Sequence, residues 1–132
     1  PLAALALERW RLIASSPPDL VVPMPLHWTR RLTRGYDQAT LIAAICAAEL
    51  ALPIRHLLHR NRRTRTQARL DRQARQRNLS GAFSVTDMPA CAGCSILLVD
   101  DVLTTGATMT AAAAALRQVG AREINILILA RD

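Results

Sequence analysis

The chain has 132 residues, 51% of them apolar, and a formal charge of +7 in which all 17 basic residues are arginine. That length suits one domain with a real core, and no apolar run approaches the roughly 18 residues that a bilayer-spanning helix requires. The absence of lysine excludes a Schiff-base lysine and a Walker A phosphate loop. The charge is local, because residues 55–77 hold nine arginines and one aspartate while the remainder is close to neutral. Cys46, Cys91 and Cys94 make an odd count with one CxxC pair, and no other Cys or His falls at zinc-ligand spacing. Small residues in a turn explain that pair better than a metal or redox site, and the cysteine usage suits a reducing cytoplasm. The start at Pro1, without a charged-then-apolar leader, suggests that something upstream is missing.

In chain order, residues 2–14 (LAALALERWRLIA) read as an amphipathic helix that Ser15 to Pro18 ends. Asp19 to Pro23 reads as a short strand, and Pro23 and Pro25 stiffen the backbone that follows. After a turn through residues 27–35, Tyr36 to Leu50 predicts a helix with Leu41, Ile45 and Ala48 along one face. Ile54 to Leu58 is an expected strand, and Thr66 to Arg77 is a polar helix former without a wide apolar stripe. Ala82 to Val85 predicts a short strand. Ile96 to Val99 predicts a strand covered on both faces, Met109 to Val119 a helix, and Glu123 to Ala130 a buried strand. Two strand, loop and helix units imply a parallel sheet with right-handed crossovers, hence an α/β fold.

The chemistry concentrates in Ser95 to Thr108, SILLVDDVLTTGAT. An apolar strand runs into Asp100 and Asp101, then into Thr104, Thr105, Gly106, Ala107 and Thr108 just before a helix. The first N–H groups of a helix lack intrahelical partners and carry partial positive charge, so this loop suits a phosphate, with threonine hydroxyls as extra donors. The carboxylates would repel that phosphate but suit the hydroxyls of a sugar or a hydrated divalent cation. One compact stretch could thereby hold a sugar phosphate by both ends.

VDDVLTTGAT resembles the phosphoribosyl pyrophosphate (PRPP) motif of the type I phosphoribosyltransferases, which implies their three-layer, Rossmann-like parallel-sheet α/β fold. The resemblance implies that Asp100 and Asp101 hold the ribose hydroxyls and that Thr104 to Thr108 cradle the 5-phosphate. Purine-salvage members carry an aspartate, implicated as a base, where this chain has Thr104. That base is therefore not expected here, and no residue stands out as catalytic.

VPMPLHWTRRLTRGYDQATLIA and TRTQARLDRQARQRNLSGAF narrow the resemblance to the ComF (competence protein F) group. The usual cysteine-rich zinc ribbon of that group is absent from the sequence. By resemblance, the turn Pro23, Met24, Pro25, Leu26 and His27 lies where type I enzymes bind pyrophosphate through backbone groups. A proline-stiffened turn that only packs fits equally well. Arg30, Arg34, Gly35 and Gln38, with Arg62, Arg63 and Arg65, are candidate diphosphate or hood contacts, and solvated surface arginines remain the alternative for each taken singly.

The expected organisation is one phosphoribosyltransferase-like domain over residues 1–132 with a basic hood or flexible segment at about 59–80. Mg²⁺ is expected to be held mainly through PRPP, with no direct protein ligands. The implied activity is phosphoribosyl transfer to an acceptor that the sequence does not name. The alternative is a non-catalytic, PRPP-sensing module that binds nucleic acid or DNA-uptake machinery, since clustered arginine binds phosphates without reading bases. No membrane partner is expected, and a dimer is compatible with either reading.

Overall fold

The computed structural model describes residues 5, 8, 17–26, 37–61, 81–103 and 106–131. Leu5 and Glu8 are helical, in keeping with the expected first helix, whose other residues lie outside the described set, as does the Thr66 to Arg77 segment.

The central sheet has three parallel strands: β1 (Leu20–Pro23), β4 (Ser95–Leu103) and β5 (Glu123–Arg131), in the order β1, β4, β5. On the other side of β1, Val21 donates its N–H to the Pro53 carbonyl at 3.0 Å and accepts from the Arg55 N–H at 2.9 Å. Ile54 thus forms a parallel bridge to Val21. The strand expected at Ile54 to Leu58 is reduced to that bridge. The next strand, β2 (Leu58–Arg60), instead pairs antiparallel with β3 (Phe83–Val85) as a separate ribbon.

Side-chain alternation sorts the sheet into two faces. Val21, Leu97, Val99 and Leu127 point to one side, where they pack against Ile42, Ala43, Cys46 and Ala47 of α1 (Gln38–Leu50). Leu20, Val22, Ile96 and Leu98 point to the other side, against α3 (Ala107–Gln118) through Met109, Ala112 and Leu116 and against the β2/β3 ribbon through Leu58 and Phe83. The result is the expected three-layer arrangement. Burying Ile96 to Val99 completely contributes about 1.5–3 kcal/mol for each of those side chains.

Two expectations about faces need correcting. Leu41, Ile45 and Ala48 of α1 face outward, with Leu41 56% exposed. α1 is apolar nearly all round, so periodicity could not choose its buried side, and the smaller Ala39, Ala43 and Ala47 let it approach the sheet closely. β5 is only partly buried and leaves Ile126 43% exposed, because it has no further described strand beside it.

Three local devices fix the ends. Asp37 caps α1, its Oδ1 accepting the Thr40 N–H at 3.2 Å and its Oδ2 the Thr40 hydroxyl at 2.8 Å. Asp19 pins the start of β1 to β4, donating its N–H to the Ser95 carbonyl at 2.7 Å and accepting the Ser95 N–H at 2.8 Å. After the short helix α2 (Met88–Cys91), the CAGC sequence makes a tight turn in which Cys94 donates to the Cys91 carbonyl at 3.0 Å and Gly93 supplies a φ of 73°. Burial pushes the Cys91 thiol up, with Cys94 and Asp87 adding to the effect. That suits a structural rather than a nucleophilic cysteine.

Candidate active site at the carboxyl end of the central strand

Strand stagger creates the site. β4 runs beside β1 only as far as Val99, opposite Pro23, but continues beside β5 to Leu103. The sequence predicts an end to this strand at Val99, with Asp100 and Asp101 at its carboxyl end; both instead lie inside β4, which runs on to Leu103. They occupy the stretch where β1 has already turned away. One further bond, from the Met24 N–H to the Val99 carbonyl at 2.8 Å, carries the start of the next turn alongside β4. Met24 is buried, while Pro25 and Leu26 are partly exposed. The turn expected to face a diphosphate and the carboxylates expected to face a ribose thus adjoin at the carboxyl end of a parallel sheet, where open α/β sheets bind ligands.

Asp100 is partly buried, and its Oδ1 accepts the backbone N–H of Asp101 at 2.8 Å. Its pKa is raised from 3.8 to about 6, first by burial and then by the side chain of Asp101. The Asp101 backbone N–H and the positive charge of Arg60 act in the opposite sense. A half-buried carboxyl beside a second carboxylate resists ionisation. Above about pH 6 an ionised Asp100 is a strong acceptor for ligand hydroxyls, since donors supplied by a ligand offset its burial.

The loop expected to hold a phosphate re-enters the described residues at Gly106, whose φ of 81° at the N-cap of α3 favours a residue without a Cβ. Gly106 itself brings no side chain to cap this helix start. Ala107 is exposed and Thr108 partly so, and the Thr110 hydroxyl donates to the Gly106 carbonyl at 2.9 Å. Gln38 opens α1. Thr104, Thr105, His27, Arg30, Arg34, Gly35, Arg62, Arg63 and Arg65 lie outside the described residues.

Sequence reasoning missed Arg60. At the end of β2 its guanidinium lies 5.0 Å from the centre of the Phe83 ring, and Nη2 donates to the Pro25 carbonyl at 3.2 Å. Nothing in the sequence separates Arg60 from the eight other arginines of residues 55–77. Its partner in the Pro25 turn is 35 residues away.

Among the described residues, no three or more His, Cys, Asp and Glu side chains gather to hold a metal ion. No helix among them is long and apolar enough to cross a membrane.

Comparison with known proteins agrees with this arrangement. The family described as phosphoribosyl transferase domain matches residues 37–132. Competence protein F of Haemophilus influenzae is 35% identical over 119 residues, which cover 86% of this chain and 51% of that protein. The DNA utilization protein YhgH of Salmonella typhi is 35% identical over 115 residues, with coverage of 86% and 50%. The chain thus spans about half the length of the curated relatives it matches. Among solved structures, the glutamine PRPP amidotransferase from B. subtilis, complexed with ADP and GMP, shares the fold with a TM-score of 0.64. It is 22% identical, over 96% of this chain and 25% of that one. The family match begins at the cap of α1 and takes in β4, α3 and β5, the half of the sheet that carries the carboxylates. The chain therefore belongs to the phosphoribosyl transferase domain family, among relatives of competence protein F.

Proposed function

We propose that this chain binds PRPP as its magnesium complex and transfers the phosphoribosyl group to an acceptor, releasing pyrophosphate. The observation that carries the reading is the placement of Asp100 and Asp101 on the stretch of β4 that runs on beside β5 past the end of β1, between the Pro25 turn and the Gly106 start of α3. Asp100 and Asp101 accept hydrogen bonds from the two ribose hydroxyls. The N–H groups at the start of α3, with the threonines of residues 104–108, receive the 5-phosphate, and the Pro23 to His27 turn meets the pyrophosphate through backbone groups.

Mg²⁺ enters as part of the substrate complex, where it neutralises diphosphate charge. The bond from C1 of the ribose to the pyrophosphate oxygen breaks, and its electron pair leaves with pyrophosphate. An acceptor lone pair forms the new bond at C1. With no general base assigned, the protein contributes fixed orientation and electrostatic stabilisation of charge developing on the ring. Calorimetry with PRPP and Mg²⁺ tests this reading. Binding that disappears in the combined Asp100→Asn and Asp101→Asn variant supports it, and unchanged affinity in that variant, or no binding by the folded parent, overturns it. A pyrophosphate-release screen against bases and amines then identifies the acceptor.

A second reading is favoured by nine arginines within residues 55–77 and by relatives named for competence and DNA utilization. Here PRPP is an effector and the basic segment binds nucleic acid. It predicts salt-sensitive DNA binding that Arg62→Ala, Arg63→Ala and Arg65→Ala weaken together. Undetectable DNA binding at low salt removes it.

A further inference from the structure

The β2/β3 ribbon is separate from the central sheet, yet it reaches the site through one side chain. Arg60 and Phe83 are register partners on neighbouring strands, and the guanidinium lies over the aromatic ring at 5.0 Å. Phe83 is itself buried in the same core cluster as Met24 and Leu98, so the ring gives the guanidinium a fixed seat. From that seat Nη2 donates to the Pro25 carbonyl at 3.2 Å. One planar group therefore joins three segments far apart in sequence: the ribbon, the turn after β1, and β4, whose Asp100 feels its charge.

We propose that Arg60 is a positioning residue that holds the Pro25 turn at a fixed distance from the Asp100 and Asp101 pair. It thereby sets the diphosphate-facing and ribose-facing parts of the site in register with each other. The inference rests on the PRPP reading above and goes beyond it, because it assigns the coupling of the two subsites to a residue acting through Pro25 and Asp100. Arginine suits this task because its flat fork can stack and donate in its own plane at once. A lysine supplies the charge as a point and lacks the stacking plane.

Charge gives the role a second signature. The charged groups acting on Asp100 among the described residues are Asp101, its neighbour on β4, and Arg60 on β2; the first opposes ionisation and the second favours it. Removing the guanidinium must therefore let Asp100 keep its proton to higher pH. A residue that only stabilised the ribbon would leave that titration where it was.

The test compares the parent with Arg60→Gln, Arg60→Lys and Phe83→Leu, each confirmed as folded by thermal melting. Carbon NMR of the Asp100 carboxyl follows its titration without ligand, and calorimetry follows Mg·PRPP and ribose 5-phosphate. Arg60→Gln should raise the titration midpoint of Asp100 and weaken Mg·PRPP on the order of ten-fold. Ribose 5-phosphate, which lacks the diphosphate, should lose much less at about pH 8, where Asp100 is ionised. Arg60→Lys should restore the midpoint but only part of the Mg·PRPP affinity. Phe83→Leu should weaken Mg·PRPP with the midpoint near the parent value. An unchanged midpoint in Arg60→Gln overturns the proposal, and so does an equal loss for both ligands. If the parent binds no PRPP, the enzymatic reading fails by itself, while the NMR midpoint still decides whether Arg60 acts on Asp100.

Discussion

Replacing Asp100 by asparagine should stabilise the protein at alkaline pH while abolishing its binding of Mg·PRPP. The folded state raises the pKa of Asp100 from 3.8 to about 6, chiefly by burial. Between those values the folded protein binds more protons at this carboxyl than the unfolded chain does, so stability falls as pH rises through that window. Above it, an ionised Asp100 is a standing cost. Roughly two pH units at about 1.4 kcal/mol each set an upper bound near 3 kcal/mol. Asp100 retains contact with solvent, and screening reduces the effect to about 1 kcal/mol. Asparagine keeps an Oδ1 to accept the Asp101 N–H but carries no charge. At about pH 8 Asp100→Asn should therefore melt a few degrees higher than the parent, on the order of 3–5 °C for a domain of this size. At about pH 4, where Asp100 is protonated in the folded state, the gain should nearly vanish. Thermal melts at the two pH values, paired with calorimetry, provide the assay. A variant that is less stable at pH 8, or that gains equally at both pH values, refutes the argument that the carboxylate is held against its own solvation for the sake of a ligand.

Gly106→Ala should destabilise by about 1–2 kcal/mol, because a Cβ is forced into a left-handed backbone, and it should weaken binding of the sugar phosphate; urea unfolding and calorimetry read the two effects. Asp37→Ala removes both bonds to Thr40 and should cost about 1 kcal/mol in urea unfolding, with Asp37→Asn recovering most of it. Leu97→Ala and Leu98→Ala point into opposite clusters, so each should cost about 2–5 kcal/mol and the double variant should add to within about 0.5 kcal/mol. Strong non-additivity in equilibrium unfolding would show that the two faces do not pack independently.

The features legible in the sequence were those decided locally. Ile96 to Val99 could only be a strand covered on both faces, and Gly106 ahead of an alanine-rich run could only lead into a helix. What stayed hidden depended on neighbours. Asp100 belongs to β4 because β5 continues beside it to Leu103 while β1 stops at Pro23, and no local pattern announces which neighbour runs on. α1 presented apolar residues on every side, so the buried face was chosen by the fit of its alanines to the sheet rather than by period. Arg60 was one arginine among nine until the fold brought Phe83 and Pro25 to it. The antiparallel pairing of β2 with β3 was hidden for the same reason, since each strand has only three residues.

The double-sided burial of Ile96 to Val99 has a consequence for how the molecule opens. These four residues have no exposed surface and carry hydrogen bonds within a central parallel strand, so their amide hydrogens should be released to solvent only when the whole domain unfolds. Asp100 follows directly on this most protected segment. The Pro25 turn is tied to the edge of that segment by the Met24 bond and to the ribbon by Arg60. Hydrogen exchange should therefore show a gradient across a few ångströms, from a carboxylate pair anchored in the last part of the protein to open to a turn that releases sooner. A ligand that touches both would slow exchange at the turn far more than at the strand.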